Sequence, residues 1–241
     1  MVYGLVKECV PSPIIAGKYE DCPEAGNAGR LFICEDRPFK LYDDGTSWTR
    51  YNEYGKMFDV PAQGWEWSYN KEDSVCSENE GSLNVVCRSS YTPHPVFLYR
   101  EIPITPYKVT FQWESSLIAD EFAPENRTGA IYFGFGSNCG KAMTLGLRDF
   151  GIKPNAFVAR WQDQVHFKGF EMKTKQMSMS AAKFVQLEDD DNYRKISISP
   201  DGVNFTTLVE TGNHYKFIAD KIVIGVFNQN LMLEVKSIKY D

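Results

Sequence analysis

The sequence predicts an all-β protein whose larger part is an antiparallel sandwich or barrel of many short strands. Three observations carry that expectation. Many short stretches alternate apolar and polar residues with a period of two. Turn-forming residues separate them at intervals of roughly 8–12 residues, as in sandwiches and barrels. No longer stretch keeps an apolar stripe at helical spacing.

Taken in chain order, the first elements form a small hairpin. Arg30 to Glu35 reads as one strand and Phe39 to Tyr42 as its return, with Asp43-Asp44-Gly45 turning into Trp48. Asp-Gly supports a tight turn, and Trp48 is expected to fold back over Leu31 and Leu41. So small a hairpin needs a partner surface. Near residues 55–64 the composition shifts, which divides the chain into an N-terminal arm and hairpin (1–56) and a sandwich (57–241).

Beyond the shift the strands come in quick succession. Ser82 to Arg88 and Val96 to Glu101 open the series. Lys108 to Glu114 places Val109, Phe111 and Trp113 opposite Thr110, Gln112 and Glu114. Ala130 to Gly136 sets Ile131, Phe133 and Phe135 against Tyr132, Gly134 and Gly136. Ala142 to Arg148 sets Met143, Leu145 and Leu147 against Thr144, Gly146 and Arg148. Ala156 to Gln162 sets Phe157, Ala159 and Trp161 against Val158, Arg160 and Gln162. Strands follow at Phe184–Glu188, Tyr193–Ser199, Thr206–Val209, Lys221–Asn228 and Leu231–Tyr240. One short helical turn is expected within Ser178 to Lys183. Ser199-Pro-Asp-Gly202 makes a type I turn, Asp189 to Asn192 a polar turn, and Phe227 to Asn230 a tight hairpin.

Composition excludes several classes. The chain has 241 residues, a formal net charge of −6 and no cationic stripe, which argues against nucleic acid and anionic membrane. No apolar run approaches the ~20 residues that span a bilayer. The N-terminus MVYGLVKECV lacks a signal-peptide pattern, so synthesis and retention in the cytoplasm, or export by a route not visible here, is expected. The six cysteines (Cys9, Cys22, Cys34, Cys76, Cys87 and Cys139) form no C-x-x-C pair, which disfavours structural zinc and favours free thiols. Asn126 and Asn204 match the glycosylation acceptor pattern, which carries no meaning without secretion.

The candidate binding residues are Gln112, Tyr132, Arg148, Arg160 and Gln162. Each projects from the polar side of a strand whose other side is read as core. Gly134 and Gly146 on that side leave room for a ligand or another backbone. If these strands share a sheet, the five line a polar groove suited to sugar; the alternative is an ordinary solvated face. Trp113 and Trp161 are assigned to core packing, with sugar stacking as the alternative, and Trp65, Trp67 and Tyr69 to core or inter-module packing. His94, His166 and His214 show no metal-ligand spacing, and Cys139 lies in a turn with no assignable base. Glu188 to Asp191 is a solvated loop or, alternatively, a calcium loop; no other cofactor is indicated.

Two resemblances follow from these residues. Tyr193-Arg-Lys-Ile-Ser-Ile-Ser-Pro-Asp-Gly-Val-Asn-Phe-Thr-Thr-Leu208, the pair Lys221–Asn228 and Leu233–Tyr240, and Gly64-Trp-Glu-Trp-Ser-Tyr-Asn70 before Glu80-Gly-Ser-Leu-Asn84 resemble concanavalin A-like and laminin-G-like sandwiches over about residues 57–241. The resemblance implies a jelly-roll with a concave sheet that binds glycans or proteins. The fold's hydrolases carry two carboxylates on one strand, and no such strand occurs here, so catalysis is not expected. The second resemblance runs from Glu24 to Trp48, "A-G-x-x-G-R-L-F" followed by "L-Y-D-D-G-T-S-W". It is similar to attachment segments of bacteriophage tail-fibre and head-fibre proteins, with Cys34-Glu-Asp-Arg-Pro38 in place of the usual turn. It implies that Arg30, Leu31, Phe32, Leu41, Tyr42 and Trp48 form an attachment module.

Together the two imply a virion structural protein, a fibre or capsid decoration protein assembled in the host cytoplasm. Its expected partners are capsid or tail proteins, a cell-surface glycan, and further copies of itself, with a trimer favoured. The alternatives are a glycoside hydrolase or lyase of the same fold and a cytosolic protein-interaction sandwich.

Overall fold

The computed structural model describes residues 14–37, 39–67, 74–87, 95–102, 105–117, 129–138, 140–148, 154–163, 166–190, 192–212, 217–227 and 231–241. Cys9, Tyr69, His94, Asn126, Cys139, Asp191, His214 and the turn at 228–230 lie outside the described residues. Contacts divide the chain into two compact units, Met1–Met57 and Phe58–Asp241.

The first unit is one five-stranded sheet. β1 (Ile14–Gly17) runs parallel to β2 (Leu31–Cys34), and β3 (Lys40–Asp43), β4 (Trp48–Asn52) and β5 (Gly55–Lys56) follow as an antiparallel meander. Phe32, Cys34, Phe39, Leu41 and Met57 form its small core. The expected hairpin is β2–β3, and a second hairpin, β3–β4, extends it. One packing expectation is corrected. Leu31 pairs with Tyr42 on the face away from Phe32 and Leu41. A period of two therefore separates Leu31 from Leu41. Trp48 packs instead on Phe32, with centroids 6.3 Å apart, and beneath the Arg30 guanidinium.

The second unit is a two-sheet antiparallel jelly-roll sandwich. Sheet I has the order β17 (Thr206–Gly212), β16 (Tyr193–Ser199), β15 (Phe184–Asp189), β10 (Tyr107–Leu117), β19 (Leu231–Tyr240), β8 (Ser82–Cys87), β7 (Ser74–Asn79). Sheet II has the order β14 (His166–Gln176), β13 (Asn155–Asp163), β12 (Ala142–Arg148), β11 (Ala130–Gly136), β18 (Lys221–Phe227), β9 (Val96–Glu101), β6 (Glu66–Trp67). A single 3-10 turn, Met179–Ala182, sits where the short helix was expected. The core between the sheets takes Val109, Phe111 and Trp113 from β10, Ile131, Phe133 and Phe135 from β11, and Met143, Leu145 and Leu147 from β12. Trp65 is buried there too, with Trp67 packed at its margin.

The two sheets differ on their outer faces. That of sheet I is polar. Gln186 donates to Thr110 Oγ1 at 3.1 Å, Ser197 and Thr207 share a hydrogen bond, and Lys195 lies within 3.9 Å of Glu188, Asp190 and Glu210. That of sheet II carries a second buried cluster, with Phe97, Tyr99, Tyr132, Phe157 and Trp161 at its centre.

Candidate functional site

The outer face of sheet II is built by glycines and rings in register. Facing positions on neighbouring antiparallel strands share a side of the sheet. Tyr132 on β11 faces Gly146 on β12, which faces Phe157 on β13. Gly225 on β18 faces both Tyr132 and Phe97 on β9. The glycines leave gaps that the rings close. A Cβ at Gly146 would clash with the Phe157 ring, and one at Gly225 would fall 2.5 Å from the Phe97 ring. The rings meet edge to face: Phe97–Trp161 at 5.4 Å, Phe97–Tyr132 at 5.5 Å, Tyr132–Trp161 at 5.8 Å and Tyr132–Phe157 at 6.0 Å. Such contacts are the favoured geometry for ring quadrupoles. Trp161 is fixed further, because its indole N–H donates to buried Thr144 Oγ1 at 2.8 Å.

The edge strand β14 turns this floor into a cavity. Phe167 faces Trp161, and Phe170 faces Ala159. Three steps on β14 thus cover two on β13, so a bulge puts two phenylalanines three residues apart on one side. Their rings touch each other (4.8 Å) and the floor: Phe167 on Trp161 at 5.9 Å, Phe170 on Phe157 at 5.8 Å. Both stay about half exposed, at 49% and 46%. The cavity so formed has a volume of about 420 Å³ and is open to solvent. That is within the range of small-molecule sites.

Among the described residues that line it, Arg148, His166 and the Tyr132 hydroxyl are the ionisable groups, and none is a carboxylate. Burial pushes the Tyr132 hydroxyl far above its ordinary range, with the Arg148 charge opposing, so it remains a neutral hydrogen-bonding group. The Arg148 guanidinium lies 5.0 Å from the Phe157 ring centroid, a cation–π contact. On the rim His166 Nδ1 lies 2.7 Å from Asp163 Oδ1, a carboxylate oxygen that accepts.

The five sequence candidates therefore do not form one groove. Tyr132 and Arg148 line the cavity. Gln112 lies on β10, in the other sheet. Arg160 and Gln162 lie on the opposite side of β13 from the cavity. Arg160 faces Met143 and pairs with Glu171, and Gln162 accepts from Lys168 Nζ at 3.2 Å. The cause is the parity of β13. Ala156 to Ala159 is apolar at every position, and the larger residues read as core, yet the sandwich interior takes Ala156 and Val158. Trp161, read as core, belongs to the outer cluster, as does Phe157. Gly146 leaves no free space for a ligand, since Phe157 fills it, and Gly134 is closed by the β12 backbone. Phe167 and Phe170 were not singled out at all. The signal available was an aromatic pair flanking Gly169 next to a strand already bearing Trp161.

The acidic run binds its own surroundings. Glu188 pairs with Lys108, Asp189 with buried Arg194, and the Asp190 carboxylate accepts the amides of Asn192 and Tyr193. Among the described residues no cluster of three or more metal-ligating side chains occurs.

In the first unit, Arg30, Phe32, Leu41 and Trp48 gather about Asp43. Its fully buried carboxylate accepts from Arg30 Nε at 2.9 Å and from the amides of Asn27 and Gly45 at 3.0 and 2.9 Å. Burial alone raises its pKa, but Arg30 and the amides outweigh that and hold it well below the carboxylate range. Trp48 Nε1 donates to Pro23 O at 2.6 Å. Leu31 and Tyr42 lie on the other face, Tyr42 exposed against Tyr51.

No protein-family model matches the sequence, and no curated protein matches it. Solved structures do share the fold. A functionally unknown protein from Saccharomyces cerevisiae superposes with a TM-score of 0.52 at 8% identity, over 76% of this chain and 98% of that one. A GH43 glycoside hydrolase, engineered to display both endo-xylanase and exo-arabinofuranosidase activity, gives 0.52 at 12% identity over 91% of this chain. This chain spans only 56% of that enzyme. Lectin I-B4 from Griffonia simplicifolia gives 0.43 at 9% identity, over 74% and 92% of the two chains. At these identities the likeness is one of fold.

Proposed function

We propose that this protein binds carbohydrate without cleaving it, on the aromatic outer face of sheet II. The observation that carries the proposal is the open cavity floored by edge-to-face rings and edged by half-exposed Phe167 and Phe170. Exposed rings offer a flat apolar surface to the C–H face of a pyranose, and Arg148 and Tyr132 supply polar contacts beside it. Glycoside hydrolysis by the common mechanisms takes two carboxylates about 5–9 Å apart. Among the described residues of the cavity lining there is none, which supports binding over catalysis.

We further propose that the protein is a bacteriophage fibre or decoration protein, attached to capsid or tail through its N-terminal unit and self-associated, as a trimer, for avidity. This part rests on the Glu24–Trp48 resemblance, whose Arg30 and Trp48 hold the Asp43-centred fold of that unit.

A glycan panel probed with the full chain tests the binding role. Phe167→Ala/Phe170→Ala removes rings that are half exposed, so the sandwich is expected to keep its fold while affinity falls at least tenfold. A panel blank for the wild-type chain, or release of oligosaccharide from a bound polymer, overturns the reading. Mass spectrometry and electron microscopy of purified particles test the virion role, and absence of the chain from all particles sinks it.

A further inference from the structure

We infer that the sugar taken by this cavity carries a carboxylate, and that Arg148 binds it. The inference rests on the carbohydrate reading and narrows it to acidic glycans.

Arg148 stands at the end of β12, on the same side of sheet II as Thr144 and Gly146. It lines the cavity together with Tyr132 and Phe157. Its Nε is shielded from solvent and has no hydrogen-bond partner, and among the described residues no carboxylate pairs with it. Arg160 and Arg194, by contrast, lie beside the carboxylates of Glu171 and Asp189, while half-buried Arg100 lies over the Trp65 ring. Arg148 is therefore a guanidinium held against a ring, with donors left over, in a cavity whose described lining is otherwise apolar apart from Tyr132 and His166.

That arrangement selects for an anion. A cation next to apolar walls is short of solvation, and an incoming carboxylate supplies both the charge and the acceptors. The guanidinium fork matches a carboxylate with two parallel N–H···O bonds, which a neutral hydroxyl cannot reproduce. Among the described residues of the lining no carboxylate opposes such a ligand. The protein's net charge of −6 makes this site a local exception rather than part of a general anion-binding surface. The rings then set the rest of the ligand: a body with an apolar face that lies across Phe167 and Phe170 while its acid group reaches Arg148. A uronic or sialic acid residue within an oligosaccharide meets both demands.

The test uses matched pairs on the full chain: oligogalacturonate beside its methyl ester, and sialyl-lactose beside lactose. At least one acidic member is expected to bind, with its neutral counterpart weaker by tenfold or more. Arg148→Gln should erase that difference, and Arg148→Lys should restore part of it. Phe167→Ala should weaken acidic and neutral members alike. Equal binding of both members of every pair, or an acid preference that survives Arg148→Gln, overturns the inference and leaves carbohydrate binding standing. A chain that binds no sugar in any pair overturns both. The esterified ligands test the wild-type protein directly, so the result does not depend on how well the variants fold.

Discussion

Replacing Thr144 with Val asks how firmly the aromatic floor is held. Thr144 is fully buried, and its Oγ1 accepts the indole N–H of Trp161 at 2.8 Å. Valine keeps the branched shape and removes the acceptor. Trp161 is only 8% exposed, so its N–H then has no ready access to water. A buried donor left unpaired costs about 1–3 kcal/mol. Taking ~2 kcal/mol, the melting temperature of a domain of this size falls by roughly 4–8 °C. Circular dichroism melts and urea titrations followed by tryptophan emission read the change. The control is Trp161→Phe, which deletes the donor. In that background Thr144→Val should cost little, under ~0.5 kcal/mol, because no N–H remains to be orphaned. The double-mutant cycle thereby isolates the bond from the packing lost with the indole. An equal cost in both backgrounds would falsify the assignment and make Thr144 a matter of packing alone.

Gly146→Ala places a methyl group where the Phe157 ring lies. The ring must move, so we expect a loss of about 1–3 kcal/mol, with a changed cavity seen as altered binding in the glycan panel; an unaltered melt contradicts the packing described. Asp44 is held at about 2 by the Thr46 hydroxyl and by the Ser47 and Thr46 amides. Its folded pKa is depressed, so its contribution is present above the unfolded value near 3.8 and fades as pH falls through about 2. The stability gap between wild type and Asp44→Ala should therefore narrow between pH 4 and pH 2 in melts of the first unit; a constant gap contradicts this. Burial pushes the Cys76 thiol up to about 11. At pH 8 its thiolate is then about a hundredfold scarcer than that of an ordinary thiol. Site-resolved mass spectrometry after brief alkylation should find Cys76 nearly unmodified, and rapid labelling there argues against the burial.

Much of the sandwich was legible because its strands obey a period of two. Val96–Glu101, Ala130–Gly136, Ala142–Arg148, Tyr193–Ser199 and Leu231–Tyr240 run where alternation places them. β14 escaped notice because bulges break its alternation: Phe167, Phe170 and Met172 stand three and two residues apart, which fits neither a strand nor a helix. β13 was found but faced the wrong way. In Ala156-Phe-Val-Ala159 both sides are apolar, and only pairing with β12 decides which side is inside. That decision depends on register across strands, which local sequence does not contain. The same limit placed Gln112 beside Tyr132 when they belong to different sheets. Tyr132 and Arg148 were recoverable, since each shares its strand with an unambiguous apolar side. Near Asp43 the turn residues announced the hairpins, but apart from the Gly45 amide the donors that converge on its carboxylate, Arg30 and the amides of Gly26 and Asn27, come from 13 to 17 residues earlier in the chain.

The place of β19 in sheet I bears on how the protein is made. β19 lies between β10 and β8, and its Leu231 pairs with Cys87, far back in the sequence. Translation delivers every other strand of both sheets before this one. Until residue 240 clears the ribosome, β10 and β8 each present an unpaired edge, with Phe111 and Val85 short of their neighbours in the core. Pairing across such a separation is slow, and open edges of this kind recruit other chains. A nascent sandwich of this design spends its synthesis as two half-sheets awaiting a keystone, and its yield in a cell will depend on what shields those edges meanwhile.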